Sequence, residues 1–161
     1  MVIPMAEGKE HSDLAKKYLL QIEELDKLID RKQTERDYLY SRCFKTTTTL
    51  KQDIVSSSNT NKSNLEATLV KVDAFDREIN EDIDALVDLR LTATRMLQAL
   101  NNQDYYDVLY LKYFEYRIYT DFNMIAAKMH CDYRTATRKH GEALIAFGKL
   151  LKEKDKDNEV I

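Results

Sequence analysis

Apolar side chains recur at alternating intervals of three and four residues through the first hundred positions of the chain. This spacing is that of the a and d positions of a coiled-coil heptad, so it predicts long helices that each bury one narrow face. In the first predicted helix, over 13–45 with Ser12 as its N-cap, the a and d residues are Ala15, Tyr18, Ile22, Leu25, Ile29, Lys32, Arg36, Leu39 and Cys43. In the second predicted helix they are Leu65, Leu69, Val72, Asp76, Ile79, Ile83, Leu86, Arg90, Ala93, Leu97 and Leu100.

The segment 46–63, which is rich in Thr, Ser and Asn, separates the two patterns and predicts a connection between two antiparallel helices, with a helical extension through Leu50 and Ile54 as an alternative. Two registers of this coiled-coil hairpin stay open. Pairing residues whose numbers add to 108 sets Lys32 opposite Asp76, whereas a sum of 115 sets Asp76 against Leu39. We prefer the first register, because a charge in an apolar helix interface is costly unless an opposite charge meets it.

The heptad pattern ends at residues 101–102, where we place a boundary between a hairpin over 12–100 and a second domain over 103–152. In this second domain the apolar spacing stays helical but is interrupted by turn residues. It therefore predicts three shorter helices, over 103–116, 121–129 and 133–152. Thr120 and Asp132 are the expected N-caps of the last two helices.

The composition supports an all-α chain. Only 3 Gly and 1 Pro occur among 161 residues, too few for a turn-rich sandwich or barrel or for a collagen-like chain. Charged residues make up 33% and hydrophobic residues 43%, which is typical of long amphipathic helices. The alternating charges of 153–161 predict a frayed tail rather than a further element.

The chain offers little for catalysis or for membrane attachment. It contains no apolar run long enough for a signal peptide or a membrane span, so we expect a cytoplasmic protein with no membrane partner. It also lacks a Gly-rich phosphate loop and the common nucleophile and zinc motifs, so we expect no enzymatic activity and no cofactor. His130, Cys131 and His140 are too few for a metal site, and we interpret Cys43 and Cys131 as buried thiols.

The last two predicted helices and the short turn between them, over 129–132, match a helix-turn-helix. In the final helix, three and four spacing predicts an inward face formed by Ala136, His140, Ala143, Leu144 and Phe147. The candidate DNA-binding residues lie on the opposite face and its flank, and they are Tyr133, Arg134, Thr137, Arg138 and Lys139. In a recognition helix over 133–150 they would enter the major groove, where Arg bonds guanine and Thr meets the thymine methyl group.

Charge is distributed unevenly along the chain, whose formal net charge is -3. The segment 132–152 carries five basic residues against two acidic ones, whereas residues 1–100 carry 15 basic and 18 acidic residues. Positive charge therefore lies at the end of the chain where the recognition helix is predicted, as binding to phosphate requires.

The same region resembles region 4 of bacterial sigma factors. The resemblance is carried by 108–115 (VLYLKYFE), 125–126 (IA), 131–136 (CDYRTA) and 143–144 (AL). Across 12–150, including 53–57 (DIVSS) before the second helix, the chain is similar to ArpU-like and RinA-like late-gene transcription regulators of phages and prophages of Gram-positive bacteria. This resemblance implies sequence-specific binding to double-stranded DNA upstream of packaging and morphogenesis genes, activation of those genes in the bacterial host cell, and contact with host RNA polymerase.

Within this resemblance Asp132 stands where the family usually has a capping Ser. The positions that read bases or phosphates are held by Arg134, Thr137 and Arg138. Two residues depart from the family pattern. His130 replaces the usual turn Gly, which is tolerable because His can adopt a left-handed conformation, and Ala136 replaces a larger aliphatic residue.

Two further functions stay open beside DNA-binding regulation. The hairpin could capture a sigma-like or repressor protein, or the chain could be a DNA-packaging subunit, although we expect those to carry the helix-turn-helix first. The tyrosine-rich stretch 105–133 could stack on single-stranded bases, but half-buried packing is more usual. Apolar residues beside the a and d positions also predict a homo-oligomer through the coiled coil, and these are Leu14, Leu28, Val70, Phe75, Val87 and Leu89.

Overall fold

The computed structural model describes residues 5–50 and 58–158, and every element in these ranges is an α-helix. The predicted all-α class is therefore confirmed for the described chain. Within it, no helix is both long enough and apolar enough to cross a membrane. The helices are α1 (Met5–Leu50), α2 (Ser58–Ala99), α3 (Gln103–Tyr113), α4 (Phe122–Lys128) and α5 (Tyr133–Asn158).

The two long helices extend beyond their predicted ends. Ser12 lies inside α1 rather than at its N-cap, so that prediction is wrong. The predicted helical extension is found as far as Leu50, where α1 ends, and Ile54 lies outside the described residues. The helix α2 begins at Ser58, before the predicted end of the connection at residue 63. Residues 51–57 lie outside the described part of the chain.

The described chain divides into two compact units. The first unit contains residues 5–24 and 87–158, and the second contains residues 25–50 and 58–86. The helices α1 and α2 therefore each contribute one segment to both units. The predicted domain boundary at residues 101–102 lies within the first unit.

The first unit has a fully buried core. Here α3 and α4 both pack against α5, and the rings of Tyr18 on α1 and Phe147 on α5 lie 5.9 Å apart. The largest fully buried side chains of the described residues all belong to this unit, and they are Phe147, Leu19, Ile22, Leu97, Leu109, Ile125, Leu144 and Val108.

The beginning of α1 lies against the second half of α5 at very close range. A Cβ atom added to Gly148 would lie 2.6 Å from the carbonyl carbon of His11, well below van der Waals contact. Gly8 is buried, and a Cβ atom there would lie 3.7 Å from the Cδ1 atom of Ile145. The Nζ atom of Lys152 forms an ion pair with the Oε1 atom of Glu10 at 2.7 Å. These contacts explain why α1 begins before Ser12.

The second unit combines a few buried apolar side chains with partly exposed ion pairs between its two helices. Its buried hydrophobic side chains, among those described, are Ile29, Cys43, Val72 and Ile79. The Nζ atom of Lys32 lies 2.6 Å from Asp82 and 3.3 Å from Glu78. The Nη1 atom of Arg36 lies 2.9 Å from Asp76. Later positions of α1 thus meet earlier positions of α2, which is the antiparallel order.

The preferred pairing of Lys32 with Asp76 is wrong. Asp76 meets Arg36, one helical turn further along α1, and Lys32 meets two other carboxylates of α2. Both partners of each pair keep some contact with water, with 22% of the Lys32 side chain and 46% of the Asp76 side chain exposed. Long charged side chains can reach several neighbours. Matching basic heptad positions of α1 with acidic ones of α2 was therefore not enough to predict the register of the two helices.

The shorter helices begin at side-chain caps. The side chain of Asn102 accepts a hydrogen bond from the N–H of Tyr105 at 3.2 Å at the start of α3. At the start of α4 Asp121, rather than the predicted Thr120, accepts hydrogen bonds from the N–H groups of Asn123 and Met124. A carboxylate is among the best N-caps, and it competes well with a neighbouring Thr.

The last helix is longer than predicted. The helix α5 continues to Asn158, beyond its predicted end at residue 152 and into the charged tail. Residues 159–161 lie outside the described part of the chain. Residues 153–157 are exposed to solvent and carry charges of both signs at helical spacing, which stabilises a solvated helix end.

Candidate nucleic-acid interface

The turn between α4 and α5 is short and closed by backbone hydrogen bonds. The N–H of Met129 donates to the carbonyl of Ile125 at 2.9 Å, and the N–H of Cys131 donates to the carbonyl of Ala126 at 3.0 Å. His130 lies between them with a φ of 54°, in the left-handed region that Gly usually occupies. The predicted left-handed conformation of His130 is therefore confirmed.

The start of α5 is fixed by Asp132. Its Oδ1 atom accepts a hydrogen bond from the N–H of Thr135 at 2.6 Å, which is the predicted N-cap and is confirmed. This backbone hydrogen bond favours the ionised carboxylate and is the main reason that the pKa of Asp132 is lowered. The capped start holds the first turn of α5 in one orientation.

The predicted inward face of α5 is confirmed by burial. The residues Ala136, Ala143, Leu144 and Phe147 are all buried. His140 on the same face is half-buried, and its Nε2 atom lies 3.1 Å from the hydroxyl of Tyr113. Burial, with smaller contributions from nearby lysines, lowers the pKa of His140 to about 4, so its ring is neutral at pH 7.

The first turn of α5 presents two exposed side chains beside this buried face. Tyr133 is 52% exposed, and its ring lies edge-on to Phe122 with centroids 6.4 Å apart. Arg134 is exposed, and no ion pair of this residue occurs within the ranges 5–50 and 58–158. An aromatic ring held by a neighbour and a guanidinium open to solvent can both contact another molecule.

The other three predicted DNA-binding residues are engaged within the protein. The hydroxyl of Thr137 donates to the backbone carbonyls of Tyr133 and Arg134, each at 3.0 Å. The Nη1 atom of Arg138 lies 3.2 Å from Glu142, and the Nζ atom of Lys139 lies 2.8 Å from Asp104. The five predicted residues thus lie together on the first half of α5. Two of the three cations among them, Arg138 and Lys139, already pair with a carboxylate of the protein.

Three residues that the sequence did not single out complete this surface. Glu142 accepts hydrogen bonds from Arg138 and from the hydroxyl of Tyr105, the latter at 3.1 Å, and Asp104 pairs with Lys139. The pairing of Arg138 with Glu142 could have been found, because residues four apart on a helix are neighbours. Asp104 and Tyr105 could not, because they belong to α3 and meet α5 only through the fold.

Two further tyrosines, Tyr106 and Tyr110, form a stack with a neighbouring phenylalanine. The rings of Tyr106 and Tyr110 stack with centroids 5.6 Å apart, and Tyr110 stacks on Phe114 at 4.9 Å. The guanidinium of Arg90 lies 5.0 Å from the Phe114 ring centre. These rings are half-buried or buried, so their faces are largely used within the first unit.

The cysteines differ from each other in exposure. Cys43 is buried as predicted, but Cys131 is half-buried, so its predicted core position is wrong. In the described part of the chain, no three His, Cys, Asp or Glu side chains are arranged to hold a metal ion.

Comparison of the chain with protein-family models, with curated proteins and with solved structures gives no match. The similarity to ArpU-like and RinA-like regulators and to sigma region 4 accordingly stays a prediction from the motifs of the sequence.

Proposed function

We propose that this protein is a sequence-specific double-stranded DNA-binding transcription regulator in which α4, the turn and α5 form a helix-turn-helix. In this proposal residues 133–150 are the recognition helix and enter the major groove. The helices α1 and α2 form a coiled-coil hairpin that sets the oligomeric state or contacts host RNA polymerase. The resemblance to ArpU-like and RinA-like proteins supports activation of phage late or packaging genes.

The observation that carries the proposal is the difference between the two faces of the first turns of α5. Ala136 is fully buried, while Arg134 and Tyr133 project into solvent just beyond a capped helix start. A recognition helix needs this combination, because base edges are reached from the first turns of a helix held rigidly by its other face. Arg134 carries the donors that a guanine edge accepts bidentately.

The test is a salt series of binding to labelled DNA fragments from around the gene's own locus. The wild type is compared with Arg134→Ala/Arg138→Ala. We expect the wild type to select particular fragments, with a slope of log K against log salt of about −3 to −5, and the variant to lose the selectivity.

The matched control is Lys154→Ala/Lys156→Ala. It removes the same number of positive charges from the same helix, at exposed positions far along α5 from its first turn. We expect this control to keep fragment selectivity, and all three proteins to show the same helical circular dichroism. Absence of selective binding by the wild type at any salt concentration would remove the proposal.

A second function is favoured by apolar side chains on α2 in the second unit. Leu69 is 44% exposed, Val70 67% and Ile83 36%, so apolar side chains of this unit are open to contact by another molecule. This surface suits a protein partner or a second copy of the chain. Sedimentation equilibrium of the purified protein at about 100 µM distinguishes self-association from a monomer, because a dimer with a Kd of a few µM would then predominate.

A further inference from the structure

The flank of α5 that faces α3 carries two ion pairs, each on a predicted DNA-binding cation. The better enclosed pair joins the Nζ atom of Lys139 to the Oδ2 atom of Asp104 at 2.8 Å. Only 21% of the Lys139 side chain is exposed, and Asp104 lies in the first turn of α3. The hydrogen bond from Lys139 to Asp104 raises the pKa of Lys139, so the ammonium is fully charged at neutral pH.

Lys139 is paired with a carboxylate, whereas Arg134 on the neighbouring face of α5 is exposed to solvent. Arg134 is open to solvent and is ready to meet an incoming anion. Lys139 already donates to the Asp104 carboxylate at 2.8 Å, so a phosphate that approaches it meets an ammonium whose charge is partly offset by a neighbouring anion. A carboxylate and a DNA phosphate are both anionic oxygen acceptors, so they compete for the same donor.

We propose that the carboxylate of Asp104 is an intramolecular competitor of DNA phosphate for Lys139, and that it limits the affinity of this face for any double-stranded DNA. This inference rests on the proposed function of α5. Phosphates carry no sequence information, so the limit applies equally to all duplexes and leaves base reading by the first turn of α5 unchanged. Asp104 thus lowers non-specific binding without taking part in selection.

The variant Asp104→Asn tests this competition. We expect it to bind a mixed-sequence duplex of about two helical turns roughly threefold more tightly than the wild type does. The slope of log K against log salt should become steeper by about 0.9, because one more phosphate is neutralised. We expect the same gain in affinity on a fragment that the wild type selects. The ratio of the affinity for that fragment to the affinity for the mixed-sequence duplex therefore stays constant.

Two variants control for other effects of the substitution. Asp107→Asn removes the same charge from the same helix, but Asp107 accepts a hydrogen bond from Gln103 instead of holding a cation of α5. We expect it to leave both affinity and slope nearly unchanged. In a Lys139→Gln background, Asp104→Asn should have no effect on affinity, because the donor for which the anions compete is gone.

The outcomes separate this inference from the function on which it rests. Wild-type binding that Asp104→Asn does not strengthen, or strengthens no more than Asp107→Asn does, overturns the competition and leaves the proposed function standing. A gain that persists in the Lys139→Gln background also overturns it. If neither the wild type nor Asp104→Asn binds the duplex, the proposed function fails and the inference fails with it.

Discussion

The two compact units bury their apolar residues to different degrees. In the first unit Phe147, Leu109 and Leu144 are at most 1% exposed, whereas the best buried side chain described in the second unit, Ile79, is 3% exposed. The second unit also leaves Leu69 and Ile83 substantially exposed, although both occupy predicted core positions. Equal heptad spacing therefore does not give equal burial.

The number of helices that meet explains this difference. In the first unit segments of all five helices are present, so an apolar residue is covered from several sides. In the second unit only α1 and α2 contribute, and two helices can enclose little more than the line along which they touch. Depth of burial is thus decided by helices that are remote in sequence.

The largest expected effect is the loss of a large side chain from the first unit. Phe147→Ala should lower the free energy of unfolding by about 3–5 kcal/mol, because it removes a fully buried ring and leaves a cavity. Ile79→Ala in the second unit should cost only about 2 kcal/mol, the lower end for such a change, since water can reach the vacated space. Urea unfolding followed by circular dichroism measures both.

Equal losses for Phe147→Ala and Ile79→Ala would show that the two units are equally well packed. If Phe147→Ala does not fold, Phe147→Leu serves the same comparison with a smaller cavity. Met124→Ala provides a surface reference, because Met124 is 42% exposed. Its effect should stay within about 0.5 kcal/mol.

The next effect is a pH dependence that arises from His140 in the first unit. Its folded pKa of about 4 lies below the ordinary value of 6.5, so the unfolded chain binds the proton more readily between these values. Stability should therefore fall as the pH decreases from 6.5 to 4, by up to about 3 kcal/mol. Thermal unfolding across this range measures it, and His140→Phe should remove most of the slope. A wild-type slope that survives in His140→Phe would assign it to other groups.

A smaller effect is the difference in stability between alanine substitutions at two glycines of α5. Gly148→Ala should destabilise the protein by about 1–3 kcal/mol, because a Cβ atom there would overlap the backbone at His11. Gly141→Ala has nothing within 4 Å of the added Cβ atom, so it should stabilise the helix by about 0.5–1 kcal/mol. Melting temperatures that shift in the same direction for both variants would contradict the close approach of α1 to α5.

The smallest effect concerns the ion pairs of the second unit. A double-mutant cycle between Lys32 and Asp82 should show a favourable coupling, because their charged atoms lie 2.6 Å apart. The cycle between Lys32 and Asp76 should show a clearly weaker coupling, since Asp76 is engaged by Arg36. Both cycles are measured by urea unfolding at low salt, where surface charges act most strongly. The reverse order of couplings would restore the register first inferred from the sequence.

Local chemistry was predictable from the sequence to a large extent. The cap of Asp132, the left-handed turn at His130 and the inward face of α5 each follow from residues within a few positions of one another. Of the candidate interface, the exposure of Arg134 and Tyr133 was predictable on the same basis. These features depend on backbone rules that act over one or two helical turns.

Long-range partners were not predictable in the same way. Leu19 lies outside the a and d positions yet is fully buried, because α1 is enclosed more widely in the first unit. The true start of α1 depends on Gly148 of α5, and the partner of Lys139 is Asp104 of α3. Each of these contacts joins segments whose meeting no local pattern indicates.

The division of the first unit into two stretches of sequence has a consequence for synthesis on the ribosome. Residues 5–24 and 87–158 are separated by the whole of the second unit, so the core around Phe147 cannot close until most of the chain has been made. At ordinary elongation rates the early segment waits for seconds, while residues 25–50 and 58–86 can already pair with one another. Within the core of the first unit, the segment with Ala15, Leu19 and Ile22 is therefore open to chaperone binding for longer than the residues around Phe147.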